Sequence, residues 1–269
     1  FVEGENLTID FQNAQGDTAN CDLMAKTMVT SRVDLLAGIA TPAVMSEYSA
    51  AKSSDIPIVF TAVSDPVSAG LVQSIEQPGS NCTGTSDVLP LEKQVKMIRA
   101  FLPDATKIGV IYTTSEPNSV SHLEKLQGIA ADNGFEVIAV GVTNSSEVAS
   151  AAASVVAQGA DCINNFTDNN VVDNLSAVIK AANDGGIPVF GSEIEQVKNG
   201  CLASESIDYV ALGEQTGRMA ARILSGEDAS TMPVEEVEDA TPVYNSEVLE
   251  ALGLTLPADY QDAQDVSAA

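Results

Sequence analysis

The stretch Asp34-Leu-Leu-Ala-Gly-Ile-Ala-Thr41-Pro42-Ala43, running on through Ala50-Ala51 to Ile56-Pro57-Ile58-Val59, decides the fold. An apolar run of strand length ends in a polar turn at Thr41. Pro42 then stands where a helix begins, because its fixed φ suits the first helical turn and its missing N–H is not needed there. An Ala-rich helix follows, and Ile-Pro enters the next strand. A second copy starts Asp161-Cys-Ile-Asn-Asn-Phe-Thr167-Asp168-Asn169 and closes Ala181-Ala182-Asn-Asp-Gly-Gly-Ile187-Pro188-Val189-Phe190. One structural unit written twice predicts two similar half-molecules. A cleft between two such lobes is where a small ligand is held.

The same alternation extends over the chain. Apolar runs of strand length recur at 7–12, 35–39, 58–61, 83–88, 107–112, 136–140, 162–165, 189–191 and 202–204. Helical patterns fall at 19–31, 42–51, 91–102, 119–133, 146–158, 171–183 and 209–225. A weaker strand at 243–244 and helix at 246–252 lie in the Pro- and acid-rich tail. Strand–helix alternation of this kind means a mainly parallel sheet. Crossings near 84–90 and 204–208 divide the chain into lobe 1, residues 1–86 and 208–245, and lobe 2, residues 87–207 and 246–269. A lobe of strand order 2-1-3-4-5 has its first strand at the sheet centre, and no strand precedes Leu7. Lobe 1 is therefore expected to lack its first strand and helix, roughly 30 to 40 residues, the size of one βα unit.

Composition excludes several classes of function. The net charge of −26 is spread along all 269 residues. Phosphate binding needs Lys and Arg, so nucleic acid is not expected as a partner. No run of about 18 apolar residues is present to span a membrane. The four cysteines, Cys21, Cys82, Cys162 and Cys201, form no C-x-x-C and have no neighbouring His, so neither a metal nor any cofactor is expected. There is one His, no G-x-S-x-G elbow and no P-loop. A catalytic role finds no support.

The turns at the carboxyl ends of parallel strands are where open α/β sheets bind ligands. Thr41, Pro42 and Ala43 open one helix there, and Ser115, Glu116, Asn118 and Ser119 open another. Helix N-termini attract carboxylates through free N–H groups and the helix dipole. The arginines all fall within helices, so amides and hydroxyls are expected to hold a ligand carboxylate. Asp65, Glu116, Asp168, Glu193 and Asp208 lie in the same set of turns, and a carboxylate can anchor an ammonium group. Asp168, beside Asn169, is the first choice for that role and Glu193 the second. Thr61 ends the strand before Asp65. Phe60 and Tyr112, with Phe166, Phe190 and Tyr209, could flank a flat apolar side chain. Anion donors, an ammonium acceptor and aromatic faces together describe an amino acid with an aromatic or large apolar side chain.

These residues resemble a known family. Asn13-Ala-Gln-Gly-Asp17, Ile39-Ala-Thr-Pro-Ala43, Ile56-Pro-Ile-Val-Phe-Thr-Ala-Val-Ser-Asp-Pro-Val67 and Pro78-Gly-Ser-Asn-Cys-Thr-Gly84 are similar to motifs of ABC-transporter substrate-binding proteins of the tryptophan/tyrosine type. Ser115-Glu-Pro-Asn-Ser119, Thr167-Asp-Asn169, Ile187-Pro-Val-Phe190 and Leu212-Gly-Glu-Gln-Thr-Gly217 continue the likeness in the same order. The resemblance implies a type I periplasmic-binding-protein fold: two Rossmann-like α/β lobes with parallel sheets, a three-crossover hinge and a ligand cleft between them. It implies a monomer that captures a free amino acid and delivers it to the transmembrane subunits of an ABC permease. It also implies an extracytoplasmic site of action, in a periplasm or lipid-anchored to the outer face of the membrane, with the export signal outside this chain. A sensing domain of a regulator or a carrier of another solute would share the fold.

Overall fold

A computed structural model describes residues 1–236 and 240–267. The chain forms two compact units, Phe1–Val88 with Tyr209–Val237, and Leu89–Asp208 with Glu238–Ala269. It therefore passes from one to the other three times. In chain order, the first unit opens with α1 (Thr18–Ser31), β1 (Leu36–Ile39), α2 (Thr41–Ala51), β2 (Ile58–Thr61) and β3 (Cys82–Ser86). The second unit contributes α3 (Leu91–Phe101), β4 (Lys107–Thr113), α4 (Pro117–Asp132), β5 (Glu136–Val142), α5 (Val148–Ala157) and β6 (Cys162–Asn164). It continues with α6 (Asn169–Asp173), α7 (Leu175–Gly185), β7 (Val189–Phe190), α8 (Ile194–Lys198) and β8 (Ala203–Ile207). Helix α9 (Tyr209–Leu224) and β9 (Glu235–Glu236) return to the first unit; β10 (Ala240–Tyr244), α10 (Ser246–Ala251) and β11 (Gln264–Asp265) end in the second.

The first unit has one parallel sheet in the order β1-β2-β3-β9. Strand β2 shows why its sequence is apolar throughout. Successive side chains point to opposite faces, and both faces are covered. Ile58 and Phe60 join Leu36, Val44 and Leu71 in one core, while Val59 packs with Met219 and Ile223 of α9 on the other side. Each such fully buried side chain stabilises by about 1.5–3 kcal/mol. Gly84 is required where it stands: opposite Phe60 in the ladder, a Cβ there would lie 2.0 Å from the Phe60 carbonyl oxygen.

The second unit pairs β5-β4-β6-β7 in parallel, so its first strand lies between its second and third. Strand β8 continues the series through Gly191 N–H to Ala203 O (3.0 Å) and Leu202 N–H to Val189 O (2.7 Å). β10 pairs antiparallel with β8 and parallel with β11. On one face of the parallel part the core gathers Ile111, Val142, Ile163 and Val189 of the strands with Val155 of α5 and Val178 of α7.

The two written copies match in backbone detail. The carbonyl of Pro57 accepts from Leu36 N–H, and the carbonyl of Pro188 accepts from Ile163 N–H, both at 3.0 Å. Proline loses nothing at this position, because only its carbonyl faces the neighbouring strand. The second copy differs in its helix, which breaks into α6 and α7 at Asn174. That residue leaves helical geometry (φ −114°, ψ 22°) and its side-chain amide donates back to the Asn170 carbonyl.

Three sequence expectations change. Residues 7–12 form no strand beyond a bridge between Glu3 and Leu7, and Ile9 and Phe11 stand exposed. A strand persists only with a ladder partner, and no described strand pairs with this segment. Residues 240–245, expected in lobe 1, enter the second unit because β10 pairs with β8. Helix α8 was not foreseen; five residues are too few to show a helical period.

Candidate functional site

In the first unit, the turns after β1, β2 and β3 lie along one sheet edge. Ala40, just past β1, holds φ 68° and ψ 154°, and Ala62, just past β2, holds φ 55°. Alanine adopts such angles at a cost of about 1–3 kcal/mol, and such costs cluster at ligand-binding edges. Ala40 N–H donates to the Thr61 carbonyl, which fixes the α2 start against the end of β2. Helix α2 is left uncapped: Ala40 supplies no side-chain acceptor, and its first turn has no acidic residue. The N–H groups at this end therefore retain capacity for an anion. Thr41 is buried, and Pro42 and Ala43 are half-buried.

The neighbouring turn is internally satisfied. Asp65 accepts from Ser68 N–H at 2.9 Å, and the Thr85 hydroxyl bonds Thr61 Oγ1 (3.3 Å) and Thr216 Oγ1 (2.7 Å). Phe60, expected to flank a ligand, has its ring wholly inside the core. The β alternation that buries Ile58 on that face buries Phe60 with it. At the end of β3, Asp87 is 2% exposed. Its Oδ2 accepts from the Tyr209 hydroxyl at 2.7 Å, while its Oδ1 has no hydrogen-bond partner. Burial raises its pKa to about 6. The Ser64 hydroxyl and the residue's own amide favour the ionised form, without closing a bond on Oδ1.

In the second unit, the expected site residues come together but bind one another. Asp168, with no exposed surface, accepts from Thr113 N–H (2.6 Å), Thr113 Oγ1 (2.7 Å), Ser119 Oγ (2.7 Å) and Val171 N–H (3.1 Å). A carboxylate has about four lone-pair sites, and four donors use them. The residue thus ties β4, α4 and the start of α6, rather than keeping capacity for a ligand ammonium. Glu116, at the start of α4, accepts from Asn169 Nδ2 at 3.1 Å and makes a longer contact with Asn169 N–H at 3.4 Å. Burial and then the charge of Asp168 hold the Glu116 pKa above the carboxylate range. Helix α4, like α2, has no side-chain cap and a proline in its first turn, but the carboxylates of Glu116 and Asp168 stand beside its start. Ser115 is exposed and Tyr112 half-buried beside Gly141.

Glu193 caps α8, accepting from Glu195 N–H and Gln196 N–H, both at 2.6 Å. That local role takes one acceptor site on each of its oxygens. Phe166 and Phe190 are fully buried; Phe190 meets Phe101 edge-on at 5.9 Å.

Sequence reading missed a buried amide network at the ends of β6, β7 and β8. Gln94 Nε2 donates to Asn164 Oδ1 (3.1 Å) and the Gly191 carbonyl (3.0 Å), and its Oε1 accepts from Glu205 N–H (3.0 Å). Gln196 Oε1 accepts from Asn165 Nδ2 (3.0 Å) and Ser192 N–H (3.2 Å). Asn164 Nδ2 of this network is buried and unpartnered, as are Asn118 Oδ1, Thr167 Oγ1 and Ser204 Oγ in the same unit. Unmet buried polar atoms mark places where a ligand or water is accommodated. The available signal was the polar run Asn164-Asn165 closing an otherwise apolar strand.

Among the described residues no cluster could hold a metal ion, and no helix is long and apolar enough to cross a membrane. The four cysteines are free; Cys82, Cys162 and Cys201 are buried, which raises their pKa and makes them inert packing groups.

Comparison with known proteins agrees with this architecture. The family model described as ABC transporter substrate binding protein matches residues 1–264. The chain is similar to the Tyrosine-binding protein of Clostridioides difficile (strain R20291), 41% identical over 254 residues, which cover 94% of this chain and 73% of that protein. It is similar to the structure of an ABC domain in complex with L-Trp from Streptococcus pneumonia, with TM-score 0.93, 32% identity, and 97% and 88% of the two chains covered. It is also similar to the ligand-free, open structure of a Clostridium difficile substrate-binding protein with adhesive properties, with TM-score 0.72, 41% identity, and 99% and 89% covered. The chain belongs to the ABC transporter substrate-binding protein family.

Proposed function

We propose that this chain captures an aromatic amino acid, tryptophan, tyrosine or phenylalanine, for an ABC importer. The family binds and hands on its substrate rather than transforming it. A tyrosine-binding relative and an L-Trp-bound structural neighbour support the aromatic class. The observation in this chain that carries the reading is the uncapped start of α2, whose N–H groups fit an amino acid's carboxylate. Members of this family work outside the cytoplasm, where the ligand would pass to the transmembrane permease subunits, the chain being free or lipid-anchored.

Titration calorimetry against the twenty amino acids, with tyramine alongside, tests this. L-tyrosine, L-tryptophan or L-phenylalanine is expected to bind at micromolar strength or tighter. Tyramine, which lacks the carboxylate, is expected to bind at least about 10-fold more weakly, the loss of one or two charge-assisted hydrogen bonds. A folded protein silent toward all three amino acids refutes the aromatic reading. Equal affinity for tyrosine and tyramine refutes the role of α2.

A further inference from the structure

We infer that Asp87 is the ammonium anchor of the bound amino acid. The inference rests on the aromatic amino acid reading and assigns the half of the zwitterion that α2 cannot hold.

Three observations meet at this residue. First, four of the carboxylates considered for the role already accept hydrogen bonds within the protein: Asp168 from four donors, Glu193 from two amides of its own helix, Glu116 from Asn169, and Asp65 from Ser68 N–H. Second, Asp87 keeps one buried oxygen without a hydrogen-bond partner while its other oxygen is held by Tyr209. A buried carboxylate oxygen without a partner gains from a charged donor, beyond what the Tyr209 and Ser64 hydroxyls and the residue's own amide already give the ionised group.

Third, the register places Asp87 level with the start of α2. Ile39 pairs with Thr61, and Phe60 pairs with Gly84, so Thr85 continues the row of Ile39 and Thr61. Thr41 is two residues beyond Ile39 and Asp87 two beyond Thr85. Two strand spacings, about 10 Å, separate their backbones. An amino acid's ammonium and carboxylate are about 3 Å apart. With a hydrogen bond of about 3 Å at each end, the zwitterion spans about 9 Å, which fits that interval. Anion donors on β1's turn and a cation acceptor on β3's turn give the edge a polarity matched to the ligand. With its pKa raised only to about 6, Asp87 is mostly ionised at neutral pH.

The test compares L-tyrosine with 3-(4-hydroxyphenyl)propanoate, which lacks only the amino group, by calorimetry at neutral pH. Wild-type protein is expected to prefer tyrosine by roughly 10- to 100-fold. In Asp87→Asn, tyrosine affinity should fall by about that factor while the propanoate's affinity stays within about 3-fold, so the preference collapses. Tyr209→Phe, which keeps the carboxylate, should retain the preference. If Asp87→Asn weakens both ligands equally, or neither, the inference is overturned. Should that variant not fold, equal wild-type affinity for the two compounds overturns it and a strong preference supports it, with Asp87→Ser as the second variant. Wild-type protein that binds no aromatic amino acid removes the functional reading itself, whereas binding unaffected by Asp87→Asn removes only this anchor.

Discussion

Asp168→Ala is expected to destabilise the second unit by about 4 kcal/mol or more, an effect large enough to be diagnostic for a single substitution. The carboxylate is fully buried and accepts from two backbone N–H groups and two hydroxyls. Alanine would leave all four donors facing a buried site without their acceptor. Each unmet donor costs about 1–3 kcal/mol, reduced where hydroxyls can rotate to other acceptors. The start of α6 also loses its cap, worth about 1 kcal/mol. Urea unfolding, with hydrogen exchange at the Thr113 amide as the local probe, measures the loss. Exchange there should accelerate far more than in β1–β3, which belong to the other unit. Removing Asp168 also removes the charge that helps raise the Glu116 pKa, so Glu116 should titrate lower in the variant. Unchanged stability with lost ligand binding would restore Asp168 to the role of ligand anchor.

Glu47→Gln is expected to stabilise the first unit at pH 8 and to leave it nearly unchanged at pH 4. Glu47 sits on α2 with 7% exposure, and its Oε2 has no partner. The carboxyl lies against the edge strand: a Cβ on Gly38 would come within 2.5 Å of Oε2. Burial raises its pKa from 4.5 to about 7. The folded state therefore holds this proton more tightly than the unfolded state. Its stabilising effect is complete below pH 4.5 and is lost as pH rises through about 7. The interval corresponds to about 3 kcal/mol at full ionisation, as an upper bound. Glutamine carries no such proton, so the wild-type fall in stability between these pH values should flatten in the variant. Parallel slopes for the two proteins would mean that the carboxylate finds a partner or water when it ionises.

Much of this architecture is legible in the chain. Thr41-Pro42 marks the α2 start and Ile-Pro marks the entry to β2 and β7, because proline's restrictions act locally and leave the same mark wherever they occur. The strands at 58–61 and 107–113 stand out because both of their faces are buried. Residues 7–12 have the composition of a strand, yet a ladder needs a partner that composition cannot guarantee. The site divides in the same way. That Thr41 opens a helix can be read from its neighbours. That Asp168 spends its oxygens on Thr113 and Ser119 cannot, since those residues meet it only through the order β5-β4-β6. Asp87 is overlooked for a related reason. An Asp after Thr85-Ser86 reads as an ordinary polar strand end, and only burial with one unmet oxygen sets it apart.

A crystal structure of the protein with L-tyrosine or L-tryptophan bound tests the assignment most directly. Ligand carboxylate oxygens are expected within about 3 Å of the amides opening α2, and the ammonium nitrogen within about 3 Å of Asp87 Oδ1. A ligand whose carboxylate rests at the start of α4, or whose ammonium sits on Asp168 or Glu193 with Asp87 untouched, would contradict it.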